Sequence, residues 1–325
     1  MNMKALILGV SGQDGALLSA FLCRKAYDVH GTSRDAQMSG FTNLVQLGIR
    51  DQVRLHSAVT TDFRSVLQVL SKVAPDEVYL LAGQSSVGLS FEQPVETLES
   101  IALGALNLLE AIRFLGLKTR LYNAGSGDCF GDLSEPADES TAFRPRSPYA
   151  VAKASAHWTV ANYREAYGLY ACTGILFNHE SPLRPARFVT RKVIAAACRI
   201  ATGSGERLKL GNLDIERDWG WAPEYVQAMW RMLQQPQPAD FVIATGRSHS
   251  LREFVRVAFA ELGLDWREHV DIDDSLRRPT DIAHSVGLPT QAERVLGWRA
   301  RHDLADVIRF MVAAEQGLDW PMLAD

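Results

Sequence analysis

A doubly wound parallel α/β sheet, continued by a smaller C-terminal α/β region, is the fold class this chain predicts, on three observations. Short apolar runs alternate with helical patterns from Ala5 onward, as in strand-helix-strand units. The first run opens directly into a glycine-rich turn, Gly9-Val10-Ser11-Gly12-Gln13-Asp14-Gly15. Near the middle, Ser147-Pro148-Tyr149-Ala150-Val151-Ala152-Lys153 begins a helical run that reaches Tyr167.

Composition allows this fold and excludes several partners. The 325 residues are 47% hydrophobic and 22% charged, ample for one large or two closely joined domains with a core. A formal net charge of -4 gives no basic field for nucleic acid. Cys23, Cys129, Cys172 and Cys198 lie far apart, without metal-ligand or redox spacing. Reduced thiols in the cytoplasm and no metal are therefore expected. Met1-Asn2-Met3-Lys4 runs into a strand rather than a signal sequence. No apolar run approaches the roughly 20 residues that span a bilayer, so no membrane partner is expected.

In chain order, Ala5 to Leu8 is a buried strand, and a helix follows the glycine turn through Lys25. A turn of this kind between strand and helix brings backbone amides up to a pyrophosphate, as in a Rossmann dinucleotide fold. Gly9, Gly12, Gln13, Asp14 and Gly15 are the cofactor-binding candidates there. A second strand, Asp28 to Thr32, ends at Ser33-Arg34. Arg34 stands where an acidic residue would hold a ribose hydroxyl, and an arginine suits a 2′-phosphate. NADP is the expected cofactor, and the adjacent Asp35 keeps NAD open.

Further strands are predicted at Val53–His56, Val78–Leu81 and Arg120–Ala124, with helices at Phe63–Val73 and about Pro94–Leu115. Ligands of such sheets sit beyond the carboxyl ends of the strands. Gln84 and Ser85 leave the fourth strand there, candidates for cofactor and substrate respectively. Ser126 and Asp128 leave the fifth, just before the helix of Tyr149 and Lys153. Four residues apart, that Tyr and Lys share a helix face. An ammonium beside a phenol lowers a pKa normally about 10, giving a base for a sugar or alcohol hydroxyl.

A sixth strand, Ala171–Phe177, ends in the polar turn Asn178-His179-Glu180-Ser181-Pro182-Leu183-Arg184. His179 is read as satisfying backbone groups in this turn rather than binding ligand. Helices follow at Phe188–Thr202, Ala222–Leu233 and Leu251–Leu262. Ser250 with Glu253, and Thr290 with Glu293, have capping-box spacing. The division falls near residue 180. Residues 1–180 form a cofactor-binding Rossmann domain carrying the catalytic residues. Residues 181–325 are expected to form mainly the substrate-binding domain, with some segments returning to the first.

With the glycine turn and Tyr149/Lys153 both present, the chain resembles the extended short-chain dehydrogenase/reductase family. More narrowly, Asn178–Arg184, Val189-Thr190-Arg191-Lys192, Arg217-Asp218-Trp219-Gly220, Gly12–Gly15 and Arg146–Tyr149 resemble its GDP-mannose 4,6-dehydratase branch. The similarity runs from about residue 4 to 315. It implies an NADP-dependent enzyme that turns a GDP-hexose into its 4-keto-6-deoxy form. Tyr149 would deprotonate the C4 hydroxyl as hydride leaves C4, and Lys153 would tune Tyr149 and hold the nicotinamide ribose. Ser126 matches a hydroxyl residue at the C4 oxygen. Asp128 matches a glutamate that removes the C5 proton and helps expel the C6 hydroxyl as water. The hydride then returns to C6. Asn178, Lys192 and Arg217 would hold the nucleotide-sugar, with Arg278 at the diphosphate. A homodimer or homotetramer is also implied, with a face including Arg34 meeting a neighbour.

Three departures stand out. Ser126-Gly127-Asp128 replaces a hydroxyl, Ser, Glu pattern, and the aspartate is one methylene shorter. Ala58-Val59-Thr60-Thr61 occupies the turn where the resemblance predicts an aspartate beside the adenine, and Arg34-Asp35 lacks a second arginine. GDP-mannose is the leading substrate and a GDP-heptose the second. A nucleotide-sugar epimerase or 4-keto reductase keeps the hydride chemistry without elimination. A cofactor-binding regulator without catalysis is the reading from a different class.

Overall fold

The computed structural model of the chain describes residues 2–276 and 279–322. Its first half alternates as β1 (Lys4–Leu8), α1 (Gln13–Arg24), β2 (Asp28–Ser33), α2 (Thr42–Gln46), β3 (Arg54–Ser57), α3 (Phe63–Val73) and β4 (Glu77–Leu80). Next come α4 (Val87–Glu92), α5 (Pro94–Leu98), α6 (Gly104–Leu115), β5 (Arg120–Ala124), α7 (Pro148–Tyr167) and β6 (Ala171–Leu176). The remainder holds β7 (Asn178–Glu180), α8 (Val189–Ala201), β8 (Leu208–Leu210), β9 (Glu216–Arg217), β10 (Trp219–Trp221) and α9 (Ala222–Leu233). It closes with β11 (Phe241–Ile243), β12 (His249–Ser250), α10 (Leu251–Ala260), β13 (Val270–Ile272) and α11 (Leu304–Glu315).

Seven strands form one parallel sheet in the order β11-β6-β5-β4-β1-β2-β3. The order reverses between β1 and β4, which opens a crevice beyond their carboxyl ends. Successive β1 side chains face opposite layers. Ala5 and Ile7 join Leu17, Leu18, Val226 and Met229 under α1 and α9. Leu6 and Leu8 join Val66, Leu70, Leu109 and Ala156 under α3, α6 and α7. A separate core of Val193, Ile194, Phe254, Phe259, Ile308 and Met311 packs α8, α10 and α11 together.

The α7 boundaries follow local chemistry. Ser147 Oγ accepts the Ala150 N–H at 3.1 Å, Pro148 supplies the first turn, and Gly168 (φ 65°) ends the helix in the left-handed region. The helix expected over Pro94–Leu115 is real but interrupted. Glu99–Leu103 adopts π geometry, and the Ser100 hydroxyl there accepts the Gln84 N–H at 3.2 Å. Ser250 caps α10 as expected, but Glu253 turns its carboxylate to His249 at 3.0 Å instead of completing the box. Thr290 caps nothing. The π turn Ala292–Leu296 starts after Gln291, and the Glu293 N–H goes to the Pro289 carbonyl. β11 and α9, late in sequence, lie on the edge and face of the main sheet.

Candidate active site

A cleft of about 910 Å³ opens at the sheet's reversal point. One wall is the β1–α1 turn. Gly9 has φ +94°, and a Cβ there would stand 2.8 Å from the Ala82 nitrogen. A Cβ on Gly15 would collide with the Gly9 carbonyl. Gly12 caps α1 without any side-chain hydrogen bond, and a Cβ on it would meet only the Gly9 oxygen, at 3.4 Å. The turn is thus closed against β4 and bare toward the cleft, leaving helix N–H groups for an anion. These residues fit a dinucleotide pyrophosphate.

Gln13 and Asp14 direct their side chains elsewhere. Gln13 Nε2 donates to the His179 carbonyl at 3.1 Å, and its Oε1 accepts the Ser181 hydroxyl at 2.8 Å. Asp14 Oδ2 meets His179 Nε2 at 2.9 Å. Burial alone would raise the Asp14 pKa, but His179 and the Gln13 amide hold its carboxyl below the usual range. His179 Nδ1 bonds the Phe177 carbonyl at 2.7 Å. The histidine satisfies a backbone group, as expected, and a carboxylate as well.

Arg34 is exposed on the cleft and makes no ion pair or hydrogen bond among the described residues. Asp35 instead closes its own turn, Oδ1 accepting the N–H groups of Gln37 and Met38 at 2.9 and 3.1 Å. Gln84 and Ser85 line the opposite side. The Gln84 amide is held by the Ser86 carbonyl and Thr97, while the Ser85 hydroxyl lies 3.5 Å from Arg187.

Ser126, Asp128, Tyr149 and Lys153 converge on the cleft floor. Ser126 Oγ caps the short turn Gly127–Phe130 by accepting the Asp128 N–H at 3.2 Å, which fixes the hydroxyl and carboxylate together. Lys153 Nζ donates to the Ala124 carbonyl at 2.8 Å and lies 5.8 Å from the centre of the Tyr149 ring. Burial pulls its pKa down to about 8. The Tyr149 phenol is displaced the other way. Burial raises its pKa, the Asp128 carboxylate raises it further, and a Ser126 hydrogen bond and Arg184 only partly offset this. This corrects the expectation that Lys153 brings the phenol down. The ammonium is directed at the Ala124 carbonyl, and the nearby carboxylate opposes phenolate formation.

On the far wall, Asn178 and Arg217 face the cleft. Arg217 is buried, donating to the carbonyls of Glu216 and Ile282 at 2.8 and 2.7 Å and pairing with Asp281 at 3.0 Å. Lys192 is exposed outside the cleft lining, its Nζ on the Lys209 carbonyl at 2.7 Å. Arg278 lies outside the described residues. Arg187, which no motif singled out, stands at the cleft mouth against the Phe188 ring. Its only sequence signal is a three-residue spacing from Arg184, too common to notice. Among the described residues, no helix is long and apolar enough to cross a membrane.

Comparison with known proteins places this geometry. Residues 6–311 match the family model described as GDP-mannose 4,6 dehydratase. The chain is 45% identical over 318 residues to GDP-mannose 4,6 dehydratase 1 of Arabidopsis thaliana, covering 95% of this chain and 88% of that protein. It is 43% identical over 352 residues to GDP-mannose 4,6-dehydratase of Vibrio cholerae, covering 97% and 94% respectively. Among solved structures, UDP-glucose 4-epimerase of Thermus thermophilus, in complex with NAD, matches with a TM-score of 0.85 and 25% identity. That match covers 97% of this chain and 99% of the other.

Proposed function

The chain belongs to the GDP-mannose 4,6-dehydratase family, and on that premise we propose that it converts GDP-mannose to GDP-4-keto-6-deoxymannose with NADP. The observation that carries the reading is the meeting of Ser126, Asp128, Tyr149 and Lys153 opposite a glycine turn in one cleft. Held at the turn of Gly9, Gly12 and Gly15, NADP would supply the hydride acceptor for C4 and, once reduced, the hydride donor for C6, so none would be consumed. The protein's own groups move the protons. Tyr149, as phenolate, takes the proton of the C4 hydroxyl, with Ser126 holding the same oxygen, and returns it to C5 when C6 is reduced, which closes the proton balance. Asp128 removes the C5 proton, now acidic beside the C4 ketone, and delivers it to the departing C6 hydroxyl. Lys153 is still mostly protonated near pH 7, with its pKa at about 8, and its ammonium, anchored on the Ala124 carbonyl, is placed to hold the nicotinamide ribose.

Arg34 supports NADP over NAD, because its guanidinium is free to meet a 2′-phosphate while Asp35 is held by its own turn. Gly9, Gly12 and Gly15 seat the pyrophosphate. Asn178, Arg217 and Ser85 hold the nucleotide-sugar, with Arg187 giving the cation that Lys192, placed outside the lining, does not. The shorter carboxylate of Asp128 favours a second substrate, a GDP-heptose seated closer to the turn. A misplacement of about 1 Å costs on the order of a hundredfold in rate.

The test is incubation with NADP and either GDP-mannose or a GDP-heptose, read by mass spectrometry. Loss of one water without NADPH accumulation is expected from one of them, and Asp128→Asn should abolish it. Epimerases and 4-keto reductases need no carboxylate here. Turnover that survives Asp128→Asn, yielding an isomer or a reduced sugar, overturns the dehydratase reading.

The enzyme is further proposed to work as a homo-oligomer. Leu103, Leu106 and Phe114 near and on α6, and Val151 and Trp158 on α7, are large apolar groups left exposed on neighbouring helices. A second copy presenting the same helices would cover them. Four free thiols fit a reducing cytoplasm.

A further inference from the structure

We propose that His179 is held as an imidazolium against Asp14, and that this ion pair is a positioning device tying the cofactor turn to the nucleotide-sugar strap. The inference rests on the cofactor and substrate assignment of the cleft given above. It assigns the histidine, which also lines the cleft, a role exerted through Asp14.

The hydrogen-bond geometry requires the charge. His179 Nδ1 faces the Phe177 carbonyl at 2.7 Å, and Nε2 faces Asp14 Oδ2 at 2.9 Å. A carbonyl oxygen only accepts, and a carboxylate only accepts, while a neutral imidazole has a single N–H to give. A proton shared the other way, on Asp14, is opposed by Gln13 Nε2, which donates to the second carboxylate oxygen at 3.0 Å. Burial alone would favour a neutral ring, but Asp14 more than offsets it and holds the His179 pKa above its ordinary value. The ring also stacks on Tyr225 of α9, centroids 4.6 Å apart, which fixes its plane.

The other charged or titratable neighbours are accounted for. Arg184 donates to the His179 carbonyl at 3.0 Å and pairs with Glu180 at 2.9 Å, so its opposition to the imidazolium is partly neutralised. Tyr225 stays neutral, burial pushing its pKa well up. Tyr122 on β5 feels Asp14 and is likewise raised by burial. Lys153 on α7 feels Asp14 as a partner charge.

Position gives the pair its purpose. Asp14 is in the first turn of α1, among the helix N–H groups that follow Gly12 and have no intrahelical acceptor. A lone carboxylate there would repel a pyrophosphate. His179⁺ cancels it. The same contact, with Gln13 reaching the His179 carbonyl and Ser181, binds the glycine turn to the strap over residues 178–184. Seating either ligand therefore stiffens the support of the other.

The signs with pH follow. The imidazolium persists below the raised His179 pKa and is lost as pH rises through it. Asp14 stays charged until pH falls through its own lowered pKa. Above the His179 pKa, an uncompensated carboxylate faces the cofactor. Affinity for NADP should decline there.

The experiment measures NADP binding alone by titration calorimetry, so it does not depend on turnover or on the dehydratase reading. His179→Gln should weaken NADP by about tenfold or more, leaving Asp14 uncompensated. Adding Asp14→Asn should recover most of that loss. Asp14→Asn alone should remove the decline of affinity at alkaline pH, which keeps the test open if His179→Gln does not fold. GDP and NADP should each tighten the other severalfold in the native protein, and neither should in the variants. Imidazole nitrogen NMR should find both His179 ring nitrogens protonated at pH 7. A neutral tautomer, equal NADP affinity in His179→Gln, or no recovery in the double variant overturns the proposal.

Discussion

Replacing Lys153 with methionine should make the folded protein more stable while it removes activity. Burial brings the Lys153 ammonium from its ordinary 10.5 down to about 8. At roughly 1.4 kcal/mol for each tenfold change, that gap is a penalty of about 3 kcal/mol on the folded state at pH 7. Methionine fills a similar unbranched volume and keeps the helix. Against this gain stands the hydrogen bond from Nζ to the Ala124 carbonyl, 2.8 Å, worth about 1 kcal/mol. The side chain also keeps part of its surface on the cleft, where solvent screens the charge. The net gain is about 1–2 kcal/mol. The sign with pH is fixed by linkage. The folded lysine binds its proton less tightly than the unfolded one, so the native protein gains stability between about pH 8 and 10.5. The variant's advantage is largest near pH 7 and gone above 10.5. Denaturant unfolding of both proteins, cofactor-free, at pH 7 and pH 10 measures it. A Lys153→Met protein that is no more stable at pH 7, or whose advantage ignores pH, refutes the reasoning.

Arg34→Ala should raise the dissociation constant for NADP by about 10–150-fold, the worth of a charge-assisted bond of about 1.5–3 kcal/mol, and leave NAD unchanged. Calorimetric titration with each cofactor reads this, and equal losses for both would remove Arg34 from the 2′-phosphate. Charging the exposed helix face with Phe114→Asp and Trp158→Asp should convert the oligomer to monomer in sedimentation velocity. A native protein already monomeric at working concentration ends that reading.

The legible parts of the fold are those where local chemistry and tertiary demand coincide. α3 begins and ends at the residues its pattern indicates, because Asp62 caps it and Ala74 breaks it in a left-handed conformation. β1 announces itself as an unbroken apolar run after Lys4, and β5 and β6 are short, almost wholly buried stretches in which Asn123 and Thr173 are the interruptions. What stays hidden is set by distant partners. β11 is three residues long and exists because β6 offers an unpaired edge. β7 lies in a stretch that looks like a polar turn, and β10 pairs with it from across the chain. The π segment inside the Pro94–Leu115 pattern changes no periodicity, but it carries Ser100 to Gln84. α11 does carry a local signal. Asp303 and Asp306 form a reciprocal capping box, but with aspartate where glutamate or glutamine is the usual partner.

The site shows the same division between residue types and residue partners. Type and spacing suffice to place Ser126, Asp128, Tyr149 and Lys153 together, because each leaves a strand end or sits one helical turn from the next. They do not say where a side chain points. Gln13 and Asp14 lie in the glycine turn proposed to bind the pyrophosphate, but their side chains cross to residues 179–181, a connection more than 160 positions away in sequence. Lys192 sits in a motif that resembles a ligand-binding one, but the folded chain gives its ammonium to the Lys209 carbonyl. Tyr149 is the most instructive. Spacing alone makes Lys153 its activator, whereas the folded site adds burial and the Asp128 carboxylate, both working against phenolate. The carboxylate proposed to remove the C5 proton therefore also raises the barrier to ionising the base proposed at C4. The C5 proton becomes acidic only after the C4 ketone has formed, so the cost falls on the first transfer, made while Asp128 is still charged. The two proton transfers are thereby coupled through charge, and Asp128→Asn should lower the Tyr149 pKa even as it stops elimination.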